Sequence, residues 1–395
     1  MAARANRILT THVGSLVRPD DLLAFIAKQQ EGQPYEAAAY QTCLEKSVAD
    51  VVRKQAEAGV DIVSDGEYGK SISWSRYILD RLSGFEERHD QTIGFRSAVA
   101  GKDRRDFAEF YEEYEGTHGF VGMGKTFKTG TWVVTAPIKY TGHALIRRDI
   151  EDIKRAVKGA DVEDAFMPLV APASVVPQRK DEFYKTEEEA LFAIAEAVRE
   201  EYKAVVDAGL IVQIDDAFLA STYDVMVPPK TLADYRKWAE VRIEALNHAL
   251  RGIPPERTRY HLCWGSWNGP HTNDVPLKDI ADLLLRVNVG GYSLEMANPR
   301  HEHEWRVWET VKLPDGKKLV PGLVSHATNI VEHPELVAER VVRLAKLVGR
   351  ENVIASTDCG FAQGPFARRV HPQIQWAKLR ALAEGARIAT KQLWN

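Results

Sequence analysis

Cysteine is scarce in this chain of 395 residues: three are present, Cys43, Cys263 and Cys359. With no close-spaced pair among them a disulfide scaffold is excluded, and a reducing compartment, the cytoplasm, is the expected location. Long apolar runs are missing too. No stretch of about 18 apolar residues exists, so no membrane-spanning helix is expected. The first fifteen residues, MAARANRILTTHVGS, have no continuous apolar segment of the kind a secretory leader needs. Nor is there an excess of positive charge: 52 Lys and Arg against 56 Asp and Glu give a formal net charge of −4. That removes the basic stripe a nucleic-acid binder requires. There is no G-x-G-x-x-G at a strand–helix junction, no Walker loop, no low-complexity segment and no short internal repeat, so the common nucleotide-binding signatures are absent.

What is present is an alternation. Runs rich in β-branched residues recur at TTHVGSL (10–16), VDIVSDG (60–66), AFMPLVAP (165–172), LIVQIDDA (210–217), RYHLCWG (259–265), GGYSLEMA (290–297), KLVPGLVS (318–325) and NVIASTDC (352–359). Between most of them lie stretches of helical period, clearest at 36–58, 186–208, 231–250, 276–287, 334–348 and 370–390. Thr186 ahead of three glutamates, with Gly209 behind, frames one helix; Pro334 and Gly349 frame another. Eight strand–helix repeats predict an α/β protein made of a single (β/α)₈ barrel spanning residues 1–395. A doubly wound open sheet is the alternative. Residues 86–145 break the alternation, being charged and aromatic and then resembling two short strands. They are expected to form an insertion between the second and third strands, over the barrel mouth, as a lid or an oligomer contact.

Residues i and i+2 of a strand share a face, so His261 and Cys263 point the same way near the end of the fifth strand. Glu295 lies towards the end of the sixth and Cys359 at the end of the eighth. Barrel active sites form at the C-terminal ends of strands, where these four side chains would converge. One imidazole, two thiolates and a carboxylate suit Zn²⁺, and an exchangeable carboxylate would leave room for a thiol that loses its proton on the metal. The competing reading of an isolated H-x-C is a buried strand without metal, free cysteine being a frequent core residue. Cys43 reads as a core or half-buried helix residue. The histidines of RHEHEW (300–305) alternate, which on a helix places them on different faces, so this segment reads as a solvated first turn.

With these residues in place, the chain resembles the catalytic C-terminal barrel of cobalamin-independent methionine synthase, in a superfamily with epoxyalkane:coenzyme M transferase and uroporphyrinogen decarboxylase. YHLCWG is similar to that family's H-x-C strand, YSLEMA to its glutamate strand and STDCGF to its D-C-G strand. The resemblance implies that His261, Cys263, Glu295 and Cys359 bind Zn²⁺. It further implies that Ser15 of TTHVGS contacts an amino-acid substrate. Glu67 of SDGE and Asp215 of VQIDDAF, two carboxylates suited to an ammonium group, would hold its amino end, and His326 would donate a proton to the leaving group. Trp264, with Trp267 and Trp74, would form an aromatic wall.

The implied activity is zinc-dependent transfer of a methyl or other alkyl group to a small thiol such as homocysteine, with methyl-folate or a methyl-cobalamin carrier as donor and a homo-oligomer conceivable. One alternative is addition of a coenzyme M-like thiol to an epoxide, with Arg18, Lys70 or Arg76 holding a sulfonate. The others are a metal-free barrel of the uroporphyrinogen decarboxylase type and a purely structural zinc.

Overall fold

The β-branched runs become strands where the pattern places them. The computed structural model describes residues 6–88, 100–119, 130–177 and 179–395. Among these, eight parallel strands share one sheet. They are β1 (Leu9–Thr10), β2 (Ile62–Ser64), β3 (Asp164–Val170), β4 (Ile211–Asp216), β5 (Thr258–Leu262), β6 (Gly291–Leu294), β7 (Lys318–Val324) and β8 (Ile354–Thr357). The ladder runs from β2 through β3 to β8 in sequence order, and β8 then pairs with β1. Backbone bonds draw β1 and β2 together: Asp61 N–H donates to the Thr10 carbonyl and Leu16 N–H to the Gly66 carbonyl, each at 3.1 Å. The sheet is thus a nearly closed barrel. A doubly wound sheet, whose edges stay apart, is ruled out.

The period of two stacks the barrel interior in layers. At the bottom Leu9, Ile62, Phe166, Ile211, Val320 and Ile354 form one buried apolar cluster. Two positions on, the layer is polar: Arg259 donates to Gln213 Oε1 at 2.7 Å, Thr11 Oγ1 at 3.0 Å and the His12 carbonyl at 2.8 Å. Its guanidinium also lies 3.7 Å from the centre of the Phe166 ring. Two further positions bring Val13, Asp215 and His261 to the mouth, and the next step brings Ser15 and Cys263. Every buried donor satisfied in the polar layer avoids a desolvation cost of about 1–3 kcal/mol.

Amphipathic helices coat the barrel. The helix Glu187–Asp207 buries Leu191, Ile194, Val198, Tyr202 and Val205 at spacings of three and four. Its first turn is closed by Thr186 Oγ1, which accepts from Glu189 N–H at 3.1 Å. Thr186→Ala is expected to lower unfolding free energy by about 1 kcal/mol, read from the urea midpoint at unchanged slope. The expected helix over 276–287 divides into a 3₁₀ turn, Leu277–Asp279, and a short helix, Ala281–Leu284, because Ile280 (φ −134°) leaves the helical region. Among the described residues no helix is long and apolar enough to cross a membrane.

The irregular segment between β2 and β3 begins as a strand, Leu82–Arg88, antiparallel to Thr131–Tyr140, which in turn runs parallel to Lys180–Asp181. Two helices, Lys102–Asp106 and Ala108–His118, lie between; residues 89–99 and 120–129 of the expected insertion fall outside the described residues. Of the two short strands read near 125–145, the described part is the single strand Thr131–Tyr140. From His143 to Val157 the chain is a regular barrel helix with Ile146, Ile150 and Ile153 on its buried face. The helical pair is tied to loops at the barrel mouth. Asp103 Oδ1 accepts from Thr272 N–H (2.9 Å) and Oγ1 (2.7 Å), while Asp103 N–H donates to Asp224 Oδ1 at 2.9 Å. Tyr111 donates to Asp103 Oδ2 at 2.8 Å and accepts from Trp267 Nε1 at 3.1 Å.

Candidate metal and active site

Two strand ends deliver three donors to one place. His261 belongs to β5, Cys263 follows it, and Cys359 follows β8; all three are buried, with candidate ligand atoms within 4.8 Å of one another. The two sulfurs stand 3.6 Å apart. Two thiolates on one tetrahedral zinc, each at about 2.3 Å, would be roughly 3.8 Å apart, so the pair already has the required spacing. His261 Nε2 is buried without a hydrogen-bond partner, whereas Nδ1 lies 3.1 Å from Ser293 Oγ. A proton on Nδ1, donated to Ser293, leaves the Nε2 lone pair for a metal. Burial, reinforced by Arg259, brings His261 down to about 3, so the ring is neutral as a ligand must be. The hydrogen bond to Cys359, together with burial, drives the Cys263 thiol well above its ordinary range; a divalent cation reverses that preference. The donor set therefore fits zinc.

Glu295 stands beside this group but outside it. One carboxylate oxygen accepts from Trp264 N–H at 3.0 Å and the other from Asn298 Nδ2 at 2.9 Å. Burial, with the nearby charge of Asp358, raises Glu295 to about 7. The sequence reading assigned no role to Asp358, although it sits in the D-C-G motif. Its Oδ1 accepts from Met296 and Ala297 N–H, both at 2.8 Å, and its Oδ2 from Asn298 at 3.2 Å. It thereby locks the segment after β6 against the strand that carries Cys359.

The three donors open onto a cavity of about 80 Å³. Ser15, Glu67 and Asp215 line it with them, as do Trp74, Phe218 and Trp267 and the cations Arg76 and Arg369. Ser15 lies against the turn after β8: a Cβ on Gly360 would come within 1.9 Å of Ser15 Oγ, so a larger residue there would displace the hydroxyl. Glu67 occupies the left-handed region (φ 62°) after Gly66 (φ 70°), a backbone conformation that costs a non-glycine residue of order 1 kcal/mol and is common at functional sites. Its carboxylate is 3.2 Å from Lys70 Nζ. Asp215 accepts from Gln213 Nε2 at 2.7 Å, and burial plus the Glu67 charge raise it well above the usual carboxylate range. Glu67 is thus paired with Lys70, while the charges of Lys70 and Arg259 act on Asp215 against its burial.

Three expectations need correction. Trp264 is not a wall residue: its indole N–H donates to the Val275 carbonyl at 2.8 Å and its ring packs against His301. The aromatic wall is Trp74 and Phe218, stacked at 6.5 Å, with Trp267. His326 is not among the cavity-lining residues. It is buried, neither ring nitrogen closes a hydrogen bond, and burial with Arg369 brings it to about 3. Its ring is therefore neutral near pH 7, and the single N–H it keeps is a weak acid. The RHEHEW segment is not a solvated turn either: His301 is buried, bonded to Asp274 at 3.0 Å and Glu304 at 2.9 Å. Of the cations considered for a sulfonate, Arg18 is bonded to the Glu67 and Lys70 carbonyls, and Lys70 to Glu67 and the Pro168 carbonyl.

Comparison with known proteins agrees with this geometry. Residues 170–378 match the family model described as the cobalamin-independent synthase catalytic domain. The chain is 24% identical to a 2-hydroxypropyl-CoM lyase of Xanthobacter autotrophicus, over 98% of this chain and 96% of that protein. It is 22% identical to a methionine synthase of Sulfolobus acidocaldarius, over 97% and 93% respectively. Its fold is similar to that of a B12-independent methionine synthase from a Shewanella species solved with selenomethionine. The TM-score is 0.71 at 20% identity, covering 98% of this chain and 99% of that one.

Proposed function

Because this chain belongs to the cobalamin-independent synthase catalytic-domain family, we propose that it is an enzyme that transfers a methyl group to a small thiol, homocysteine or a close relative, with zinc as its metal. The observation that carries the reading is the buried group His261, Cys263 and Cys359, which opens onto the same cavity as Glu67 and Asp215. Zinc held by these three residues would supply the Lewis acidity that keeps an acceptor thiol deprotonated near neutral pH. The remaining work falls to the protein. Glu67 and Asp215 would hold the acceptor's ammonium group, a cation suited to two neighbouring buried carboxylates. Ser15, fixed against Gly360, would contact the acceptor's other end. Trp74 and Phe218 would exclude water while the acceptor sulfur attacks the methyl carbon and the carrier departs with the bonding electron pair. Glu295 would serve as an exchangeable fourth ligand only by leaving Trp264 N–H and Asn298. Two free buried cysteines this close suit a reducing compartment such as the cytoplasm.

Metal analysis of the purified protein, followed by a panel of homocysteine and other small thiols with methyl-folate or methyl-cobalamin, tests the reading by mass spectrometry of the thioether. Absence of stoichiometric zinc would favour a metal-free barrel and end the proposal. Glu67→Gln and Asp215→Asn are each expected to raise KM for homocysteine by about 10–100-fold, the equivalent of one charged hydrogen bond. Zinc content should stay unchanged, as should affinity for a thiol without an amino group.

A second reading, thiol addition to an epoxide, is favoured by Arg76, a cation on the cavity wall, and by the similarity to the 2-hydroxypropyl-CoM lyase. An epoxide in the same panel separates the two.

A further inference from the structure

Arg369 lies ten residues beyond Cys359, in the loop after β8, and lines the same cavity as His261, Cys263 and Cys359. Two contacts hold it in place. Its Nε donates to Gln363 Oε1 at 2.6 Å, and its backbone N–H donates to the Phe361 carbonyl at 2.9 Å. A third comes from the helical pair at the mouth, whose Tyr114 hydroxyl bonds the guanidinium. Burial opposes its charge; the groups that favour it are Tyr114 and the sulfurs of Cys359 and Cys263.

A buried cation persists where anionic charge compensates it. Two cysteine thiolates with a neutral imidazole balance a divalent ion. A third sulfur anion, brought by the acceptor, leaves the centre with one excess negative charge in a site of low dielectric. We propose that Arg369 is the fixed counter-charge for the acceptor thiolate, and that Tyr114 couples this stabilisation to the seating of the helical pair. Arg369 is on this view a positioning residue: it makes the anionic form of the acceptor favourable and takes no proton itself. The proposal rests on the thiol-transfer reading above and adds a residue to it.

The test uses zinc-loaded full-length protein and 2-mercaptoethanol, a probe thiol with no second charge, titrated by calorimetry over a pH series. Arg369→Met is expected to keep its zinc, to bind the probe about tenfold more weakly at neutral pH, and to shift the pH midpoint of binding up by about one unit. With the methyl donor, KM for the thiol should rise and kcat should recover at high pH. Arg369→Lys, which keeps the charge, should restore most of the affinity; packing alone would not predict that rescue. Tyr114→Phe should move the midpoint in the same direction by less. An Arg369→Met protein with the wild-type midpoint and affinity overturns the proposal. Loss of zinc from that variant does so too, since the residue would then serve the protein's own ligands. Should Arg369→Met fail to fold, an unshifted midpoint in Tyr114→Phe overturns it. Wild-type protein that binds neither zinc nor thiol removes the underlying reading and this proposal together.

Discussion

Replacing Cys359 with serine is expected to leave a folded barrel that has lost its zinc and, with it, turnover. The hydroxyl has nearly the volume of the thiol, so the apolar contacts of Cys359 with Val13 and Cys263 are largely kept and melting should shift by only a few degrees. Coordination is another matter. Serine is a hard donor that stays protonated near neutral pH, and the remaining His261 and Cys263 supply two ligands where a stable zinc site needs three or four. Loss of a residue that merely orients a ligand costs about 10–100-fold in metal affinity or activity, so loss of a ligand should cost more, on the order of 10³-fold in turnover. Cys263→Ser should behave alike, and Cys43→Ser, half-buried on the helix Ala37–Glu57, should be silent. Glu295→Gln should lose less than about tenfold in zinc affinity, because its carboxylate is engaged by Trp264 and Asn298. Elemental analysis of the four variants beside activity decides: a Cys359→Ser protein with one zinc and full turnover would refute the assignment.

Arg81→Met is expected to be the most destabilising change outside the site, by about 3–5 kcal/mol. Arg81 is 3% exposed. One arm of its guanidinium bonds Glu201 and the other Asp149 at 2.6 Å, while its face lies 4.8 Å from the Tyr77 ring. Removing it leaves Glu201 without its cation and Asp149 with Arg148 alone. The pH dependence follows from Asp149. Burial pushes that carboxyl up, but Arg81 and then Arg148 outweigh it, and the group ends below its ordinary value. A lowered carboxyl contributes stability above its unfolded pKa and loses it as pH falls through the folded one. In Arg81→Met that contribution shrinks, since Arg148 alone is left to oppose burial. The gap between variant and wild type should therefore be full near neutral pH and narrow as the pH falls into the range where the Asp149 carboxyl protonates. Urea unfolding at neutral pH and in that acid range reads this directly, and an equal gap at both would show that lost packing, not stranded charge, is responsible. The damage should reach the site, for Tyr77 supports Val170 N–H at 3.2 Å and Lys70 sits over its ring at 4.3 Å.

The barrel was legible because period-two patterning is a property of the strand itself. The same parity that puts His261 and Cys263 on the inner face puts Trp264 on the outer one, so its burial against His301 could have been read from the spacing alone. Glu295 could not. Like Cys263 it sits one residue past its strand, but the bonds from Trp264 and Asn298 that engage its carboxylate, and the hold of Asp358 on Met296 and Ala297 N–H, come from residues that parity does not bring into view. His326 likewise lies past the end of β7. The helix His143–Val157 was hidden by its position next to the irregular segment, although Ile146, Ile150 and Ile153 carry its period. Arg369 and Gln363 gave no signal, because a loop arginine looks the same whether it faces solvent or a pair of sulfurs.

The helical pair is also latched to the loops beside the cavity. Asp103 and Tyr111 make four hydrogen bonds to Thr272, Asp224 and Trp267, and at about 0.5–1.5 kcal/mol apiece they hold the shut arrangement by roughly 2–6 kcal/mol. The unlatched population is then on the order of one molecule in 30 to one in 10⁴. If the proposed thiol transfer uses a bulky methyl carrier, its entry beside this cavity would require the latch to open. Throughput of the proposed reaction would then follow the frequency of unlatching, and solvent viscosity should slow it more than isotopic substitution of the transferred group.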